Sequence, residues 1–290
     1  MPYLGNEVAP LVQALEGKEL KLDSDGDSSI TADTDDRVDV KVGGSDIAHV
    51  TSTGLGVNTT SPSTALHLKD SDGGILQTVE TGDSGNAYLK FINSTTGSGA
   101  FSDGFLVGLD TDESATFWLY EGNHMKFATS GTEALRIDAN GHITKPLQPA
   151  FLLIKTSAQQ NFTANGNAHT VTFESEVFDQ GNDVASNTFT APVTGRYQLN
   201  VNMGFNQIDS GANYFIIYIH TSNKKYFTYI DPSEFNGDLE YFSMNMSVLA
   251  DMDANDTAVI EYLQSGGASQ VDGVGGSGDS PSNFSGYLVC

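Results

Sequence analysis

The decisive stretch of this sequence reads Thr188-Phe189-Thr190-Ala191-Pro192-Val193-Thr194-Gly195-Arg196-Tyr197-Gln198-Leu199. A short strand pattern at Thr188–Thr190 is followed by Pro and Gly, and a second strand pattern starts at Arg196. In the second pattern, apolar side chains recur at every second position, at Tyr197, Leu199, Val201 and Met203. Because successive side chains of a strand point to opposite faces, these four share one face. The stretch therefore predicts two strands, of which the second is half-buried.

Further strand patterns follow at regular spacing from residue 150 onward. They lie at Phe151–Lys155, His169–Phe173, Tyr214–His220, Lys225–Ile230, Leu239–Leu249, Ala258–Leu263 and Phe284–Val289. The run Phe215-Ile216-Ile217-Tyr218-Ile219 is apolar on both faces of its strand. In a two-sheet sandwich one face meets the core, and we expect the other to meet a neighbouring protomer. Residues 147–290 are thus predicted to form an all-β, trimeric head.

Residues 20–146 are predicted to form a β-rich shaft, because short strand patterns alternate there with turns rich in Asp, Asn and Gly. The patterns lie at Ser29–Thr31, Val38–Val42, Ile47–Thr51, Ala65–Leu68, Ala87–Ile92, Phe105–Leu109, Thr116–Tyr120, Met125–Ala128 and Ala134–Ile137. Two prolines in Lys145–Pro149 favour an extended connection that does not continue a strand ladder. This segment marks the predicted boundary between shaft and head.

A weak internal repeat runs through the predicted shaft. Val40–Val50 aligns with Phe127–Ile137 at an offset of 87 residues, and Gly54 falls opposite Gly141. Each copy reads strand, Gly turn, strand, second turn, and leaves an unpaired edge that neighbouring copies or chains must complete. Such units usually build a trimeric β-prism, which is the architecture that we expect for the shaft.

The only convincing helix pattern lies in residues 1–19. Asn6 is a suitable N-cap, and the helix is expected to end before Gly17. Its apolar stripe, with the spacing i, i+3, i+4 and i+7, consists of Val8, Leu11, Val12 and Leu15. A helix this short is not stable alone. We expect the stripe to dock to a larger assembly; packing against copies of itself in a trimer is the alternative.

Composition excludes several classes of partner. The formal net charge is −24, and residues 226–290 contain no Lys or Arg. Nucleic-acid binding requires clustered cations, so nucleic acid is not an expected partner. No apolar run is long enough to cross a bilayer, so no membrane insertion is expected. Cys290 is the only cysteine, and no disulfide within the chain is expected.

Residues 150–290 resemble the complement-1q/tumour-necrosis-factor-like jelly-roll family. Phe189–Tyr197 matches the family's signature of Phe, five residues, Gly, one residue and Tyr. Asn283–Val289 is similar to the family's terminal strand, and Ala254–Val259 to the turn and strand that precede it. The resemblance implies that the head is a jelly roll and assembles as a homotrimer.

The predicted shaft has a resemblance of its own. Asp25–Asp36, Thr129–Asn140 and the glycine-rich segment Gly54–Pro62 look like segments common in bacteriophage tail fibres and other virion proteins. This resemblance implies a virion fibre, which docks to other virion proteins by its N terminus and contacts a host-surface glycan or protein by its head. A capsid fibre or decoration protein with little receptor specificity is one alternative. A polysaccharide depolymerase spike is the other.

The sequence gives no support for catalysis. It contains no nucleophile elbow, no phosphate-binding loop and no Cys–His pairing. The six histidines show no metal-binding spacing; they are His49, His67, His124, His142, His169 and His220. We therefore expect a protein that is not an enzyme and requires no cofactor.

Calcium is the one metal that the acidic clusters suggest. Asp23, Asp25 and Asp27 alternate as in a calcium loop but lack the distal Glu, and a plain turn is the alternative. A second cluster is likewise either a calcium loop or a plain turn; it contains Asp251, Asp253, Asn255 and Asp256. Some members of the jelly-roll family hold calcium near the trimer apex, and by that resemblance the candidate ligands are Asp231, Glu234, Asp238 and Glu240.

One loop in the acidic head combines basic and aromatic residues. The candidate receptor-contact residues of this loop are Asn223, Lys224, Lys225 and Tyr226. Loops of a rigid β scaffold commonly carry specificity. We expect this loop to contact an acidic glycan; a solvated hairpin tip without a ligand is the alternative.

Overall fold

The computed structural model describes residues 18–70, 77–97, 100, 102–276 and 281–290. In this part of the chain the regular elements are β-strands and one 3₁₀ turn at Pro232–Glu234, so the predicted all-β class is confirmed. No helix within these residues is long and apolar enough to span a membrane. The predicted helix lies outside the described residues, and so do all members of its stripe, Val8, Leu11, Val12 and Leu15.

The chain divides into a first unit that ends at Tyr120 and a second unit, Glu121–Cys290. A six-stranded sheet of the first unit keeps the sequence order of its strands, which are β1 Leu20–Lys21, β2 Ser29–Thr31, β3 Arg37–Val42, β4 Ser45–Thr51, β5 Leu55–Val57 and β6 Leu66–Leu68. A separate three-stranded sheet contains β7 Ala87–Phe91, β8 Phe105–Leu109 and β9 Ala115–Leu119. Two of these strands, β1 and β5, were not predicted.

Strand register gives each sheet of the first unit one apolar face. In the six-stranded sheet, side chains from all six strands share the face that we call the long apolar face: Leu20, Ile30, Val38, Val40, Ala48, Val50, Leu55, Val57, Leu66 and Leu68. In the three-stranded sheet, the short apolar face consists of Leu89, Phe91, Phe105, Val107, Leu109, Phe117 and Leu119. Ten of these 17 side chains are more than a third exposed to solvent in the single chain, and Leu66, Phe91, Leu109 and Phe117 are more than half exposed.

The opposite face of the six-stranded sheet holds a buried charge network. Asp39 accepts two hydrogen bonds of 2.7 Å from the guanidinium of Arg37, and its Oδ1 lies 2.6 Å from His49 Nδ1. Asp39 and His49 are each only 2% exposed. The hydrogen bonds from Arg37, with a further one from His49, hold the pKa of Asp39 below its usual value against the effect of burial. A buried carboxylate with two partners fixes the pairing of β3 with β4.

The predicted internal repeat is present as a repeated hairpin. The second unit begins with β10 Met125–Thr129, β11 Thr132–Ile137 and β12 Ile143–Thr144. Both β3–β4 and β10–β11 carry a bulge at equivalent positions, after Val40 and after Phe127. Their two-residue turns have positive φ at both positions, Gly43-Gly44 in the first and Ser130-Gly131 in the second, as this hairpin turn requires.

The remaining strands of the second unit form two antiparallel sheets. In chain order they are β13 Ala150–Ile154, β14 His169–Thr170, β15 Ser175–Asp179, β16 Val184–Ala185, β17 Thr188–Thr190, β18 Gly195–Asn206, β19 Ala212–Thr221, β20 Lys225–Ile230, β21 Phe242–Met252, β22 Thr257–Gly266, β23 Asp272–Gly273 and β24 Asn283–Leu288. One sheet has the order β15-β13-β24-β18-β21, with β23 also on β18. The other has the order β16-β17-β22-β19-β20, with β14 also on β22.

This strand order is that of a jelly roll. Its eight principal strands are β13, β17, β18, β19, β20, β21, β22 and β24. Numbered one to eight along the chain, they pair as 1-8-3-6 in one sheet and 2-7-4-5 in the other, so the terminal strands lie side by side in the first sheet. The predicted jelly-roll head is therefore confirmed. The strand predicted from Leu239 begins at Phe242, because Leu239 instead exchanges backbone hydrogen bonds with Ile208.

The decisive stretch contributes directly to the core between the sheets. Phe189 stacks on Phe151 with ring centroids 4.7 Å apart and lies 5.3 Å from the ring of Tyr197. Tyr197 is fully buried, and its hydroxyl donates to the carbonyl of Val193 at 2.8 Å. A Cβ at Gly195 would lie 2.7 Å from the backbone carbonyl oxygen of Cys290, so only glycine allows the end of the last strand this close.

The segment before the jelly roll is hydrogen-bonded to it. Gln148 Nε2 donates to the carbonyl of Leu288 at 2.8 Å, and the amide of Leu288 donates to the carbonyl of Pro149 at 3.0 Å. Gln180 Nε2 donates to the carbonyl of Lys145 at 2.8 Å. The segment predicted as an extended connection instead contains a turn, in which the amide of Gln148 donates to the carbonyl of Lys145 at 3.1 Å, and it is hydrogen-bonded to the end of the last strand. A boundary between shaft and head at residue 147 stays a prediction.

One charged side chain lies inside the jelly roll. Lys155 is fully buried, and its Nζ donates to Glu174 Oε1 at 2.9 Å and to the carbonyl of Thr172 at 2.8 Å. Burial of Glu174 works to raise its pKa, but hydrogen bonds from Lys155 and from the amides of Thr156 and Ser157 outweigh this and lower it to about 2. The ion pair therefore ties β13 to the segment that precedes β15.

We expect Glu174→Gln to lower the free energy of unfolding at pH 7 by about 3 kcal/mol, because the ammonium of Lys155 then stays buried without its counter-charge. Chemical denaturation measures the difference. Since the folded-state pKa of Glu174 lies below the ordinary 4.5, its stabilisation is complete above that pH and is lost as the pH falls to about 2. The gap between wild type and variant should close over that range.

The control is the double variant Lys155→Met with Glu174→Gln, which fills the same volume without a buried charge. It should recover most of the lost stability. A double variant as unstable as Glu174→Gln alone would contradict a role for the ion pair.

Candidate functional site

The hairpin tip between β19 and β20, residues 222–224, contains two of the predicted receptor-contact residues, Asn223 and Lys224. Asp256, in the adjoining turn, anchors this tip: Ser222 Oγ donates to its carboxylate at 2.7 Å, and Asn223 Nδ2 donates to the same carboxylate. The hydrogen bond from Ser222 is the main cause that lowers the pKa of Asp256. Thr221 Oγ1 accepts from the amide of Lys224 at 3.0 Å. The tip is an ordered loop with exposed side chains.

The structure does not bring the four predicted receptor-contact residues to one surface. Lys225 and Tyr226 are neighbours in β20, so their side chains lie on opposite faces of the sheet. Tyr226 is half-buried and packs against the core of the jelly roll. Its predicted role as a surface contact is therefore not supported by its position. Asn223, Lys224 and Lys225 are exposed.

Lys224 differs from the other cations of the head in its surroundings. Lys155 is buried beside Glu174, Arg196 lies 3.3 Å from Asp251, and Lys225 lies 3.3 Å from Glu261. Lys224 Nζ lies 5.5 Å above the ring of Tyr226 and makes no ion pair with any described residue. Its charge at the hairpin tip is thus available to an anionic partner.

A second surface of the head lies on the outward side of β19 and β20. We call it the aromatic face; it consists of Ile216, Tyr218, Phe227 and Tyr229. The Tyr218 and Phe227 rings lie 5.8 Å apart, and Phe227 and Tyr229 are more than half exposed. The inward neighbours Phe215, Ile217 and Ile219 are fully buried. The prediction of a strand with two apolar faces is correct, and Phe227 and Tyr229 extend its outer face.

The predicted calcium ligands of the head do not assemble into a site. Asp231 caps the 3₁₀ turn, where its Oδ1 accepts from the amide of Ser233 at 3.0 Å. Asp238 Oδ1 accepts from the amide of Ser210 at 2.9 Å, which is the main cause of its lowered pKa. No three carboxylates of the predicted set, which also contains Glu234 and Glu240, come within 4.8 Å of one another.

Within the described part of the chain, one other acidic cluster does bring three carboxylates together. The carboxylates of Asp23, Asp25 and Asp27 all lie within 4.8 Å, and all three residues are exposed. Asp23 Oδ1 also accepts from the amides of Gly26 at 3.0 Å and Ser28 at 3.3 Å. These hydrogen bonds are those of an Asp-initiated turn, which accounts for the geometry of the cluster.

No protein-family model matches this chain, and no curated protein matches it. Among solved structures, the globular domain of the zebrafish complement 1qA protein is similar at 15% identity; the match covers 49% of this chain and 98% of that one, with a TM-score of 0.36. Murine APRIL, in its crystal structure at pH 8.5, is similar at 8% identity, with 49% and 99% covered and a TM-score of 0.35.

We expect Asp256→Ala to loosen the hairpin tip, because Ser222 and Asn223 then lose their shared acceptor. The amides of residues 222–224 should exchange with solvent faster, by about ten-fold, since one or two hydrogen bonds of about 1 kcal/mol each are lost. Hydrogen exchange with mass spectrometry measures this. Exchange in β21 serves as the internal control and should not change; an unaltered tip would show that Asp256 does not anchor it.

Proposed function

We propose that this chain is a homotrimeric fibre protein of a bacteriophage virion, which docks to other virion proteins by its N terminus and binds the host surface by its jelly-roll head. The resemblance of Asp25–Asp36, Gly54–Pro62 and Thr129–Asn140 to phage fibre segments supports the virion location. The confirmed jelly roll supports the head, since a rigid β scaffold displays contact loops at its ends.

The observation that carries the proposal is the exposure of both apolar faces in the first unit. Phe117, at the centre of the short apolar face, is 63% exposed, and it pairs with Val107, which pairs with Leu89. Soluble monomers rarely leave a contiguous apolar sheet face in water. Because the long apolar face has the same character, the first unit needs a partner along its length, and copies of the same chain provide matching faces.

The aromatic face of the head extends this argument to the second unit. Phe227 and Tyr229 expose large aromatic surfaces on a strand at the end of its sheet. Aromatic residues are enriched in the buried centres of protein interfaces. We infer that this face contacts a neighbouring protomer. Three copies, rather than two, follow from the sequence resemblance of the head and from the β-prism expected of the shaft.

The host contact that the geometry favours is the hairpin tip. Lys224 presents a charge without an ionic partner among the described residues, and Asn223 beside it presents an amide on an anchored loop. An acidic surface glycan matches this pair, because a carboxylate or sulfate accepts hydrogen bonds from both groups. The strongly acidic remainder of the head would repel such a ligand elsewhere. The tip would therefore both attract the glycan and orient it on the head.

Assembly is tested by placing a charge on either side of β9. Phe117→Glu puts a carboxylate on the short apolar face. We expect the trimer of this full-length variant to dissociate at a protein concentration at least about ten-fold higher than the concentration at which the wild-type trimer dissociates. The control is Trp118→Glu, on the same strand and 55% exposed but on the opposite face, which should remain trimeric. Multi-angle light scattering over a dilution series measures both. Equal behaviour of the two variants would refute burial of the short apolar face between chains.

Host contact is tested by removing one charge from the head. Lys224→Ala should weaken binding of the full-length protein to acidic polysaccharides about ten-fold or more, since a charge-assisted hydrogen bond contributes about 1.5–3 kcal/mol. Arg196→Ala removes the same charge from a residue that pairs with Asp251 and should bind as wild type does. Biolayer interferometry on immobilised polysaccharide gives the affinities. A loss of equal size in both variants would point to net charge instead of the tip.

A further inference from the structure

The three-stranded sheet carries a cavity on the face opposite its short apolar face. The cavity has a volume of about 180 Å³, and its polar and aromatic walls come from Asn86, Tyr88, Asp110, Thr116, Trp118 and Tyr120. All of these residues belong to β7, β9 or the segments directly beside the three strands. Neither the proposed trimer contact nor the proposed host contact uses this cavity.

Strand register builds the cavity. Tyr88 pairs with Gly108, and Gly108 pairs with Thr116, so the glycine lies between two wall residues. A Cβ at Gly108 would lie 2.0 Å from the carbonyl oxygen of Ala87 and 2.8 Å from the ring of Tyr88. Only glycine therefore lets the Tyr88 ring lie against the sheet at this point. Leu106, 3% exposed and paired with Trp118, provides an apolar floor.

The walls combine aromatic surface with hydrogen-bonding groups. The rings of Trp118 and Tyr120 lie 6.0 Å apart at 52°, and together they form an angled aromatic wall. Asp110 supplies carboxylate oxygens beside the Tyr88 phenol, whose pKa is raised first by burial and then by the charge of Asp110. The Asn86 side-chain oxygen is buried and has no hydrogen-bond partner. A buried acceptor of this kind accepts a hydrogen bond from an ordered water or from a ligand hydroxyl.

These features select one chemical class of ligand. A pyranose ring has an apolar face of C–H bonds that fits aromatic rings and a rim of hydroxyls that donate to carboxylate and amide oxygens. The cavity is smaller than the about 300–1,000 Å³ of pockets for drug-sized ligands, so it fits a single ring. None of its lining residues is Lys or Arg, and Asp110 would repel an anionic sugar.

We propose that the cavity between Tyr88 and Trp118 binds one ring of a neutral saccharide, with Asp110 and Asn86 as acceptors for its hydroxyls. The site is separate from the hairpin tip and takes a ligand of a different charge. Its position opposite the short apolar face also keeps it open to solvent when that face is covered by another chain.

Trp118 is the only tryptophan of the chain, so its fluorescence reports on the cavity directly. The full-length protein is titrated with neutral mono- and oligosaccharides of hexoses and N-acetylhexosamines, and in parallel with uronic-acid oligosaccharides. We expect a saturable change in emission with at least one neutral sugar at millimolar concentration and none with the uronic acids. No change with any neutral sugar, or an equal response to the anionic series, would overturn the proposal.

Two variants locate the site. Asp110→Asn should weaken neutral-sugar binding at least about ten-fold, whereas Asp112→Asn, which makes the same charge change two residues away and outside the cavity, should bind as wild type does. Circular dichroism checks that Asp110→Asn is folded. If it is not, Asn86→Leu, which keeps the size of the side chain, is the second test of binding. Binding that survives both cavity variants would overturn the assignment, and Lys224→Ala should leave the titration unchanged.

Discussion

The packing of Phe151 against Phe189 is the contact on which the head depends. Their rings are 4.7 Å apart and belong to different sheets, and Phe284 meets Phe151 edge-on at 5.0 Å. Through these three rings the first, second and last principal strands of the jelly roll meet in one place. Sandwich sheets are held by such interdigitation of inner faces, and the close approach at Gly195 allows the terminal strand to complete it.

The apolar side chains of the first unit are arranged differently from those of the head. Its two sheets each segregate apolar side chains to one face, but most of those side chains remain exposed in a single chain. The opposite faces are specialised: one contains the buried network of Arg37, Asp39 and His49, and the other contains the cavity beside Trp118. In both sheets the apolar face is therefore the one that the single chain leaves uncovered.

The repeated hairpin shows how one backbone pattern carries different side-chain chemistry. The bulge and the two-residue turn recur 87 residues apart, whereas the charged partners do not. In the first copy His49 joins Asp39 and Arg37 in a buried network. At the position equivalent to His49, the second copy has Arg136, which makes a more exposed pair with Glu133 at 2.7 Å. Backbone geometry here depends on glycine and register, while the electrostatics depend on local burial.

The sequence alone determined the strands with clear alternation and the two aromatic motifs at Phe189–Tyr197 and Asn283–Val289, because period-two patterns and steric needs for glycine are local properties. It did not reveal β1, β5, β12, β15, β16 or β23, since strands of two to five residues take their partners from elsewhere in the chain. Of the predicted contact loop, it found the exposed Lys224 but could not show that Tyr226 turns inward.

Only the tertiary structure decided which distant side chains meet. It placed Lys155 beside Glu174, kept the acidic residues around Asp238 apart, and brought Tyr88, Asp110 and Trp118 around one cavity. Each of these outcomes depends on strand register across a sheet or on the packing of two sheets. Register follows from the pairing of whole faces, and no short stretch of this sequence contains that information.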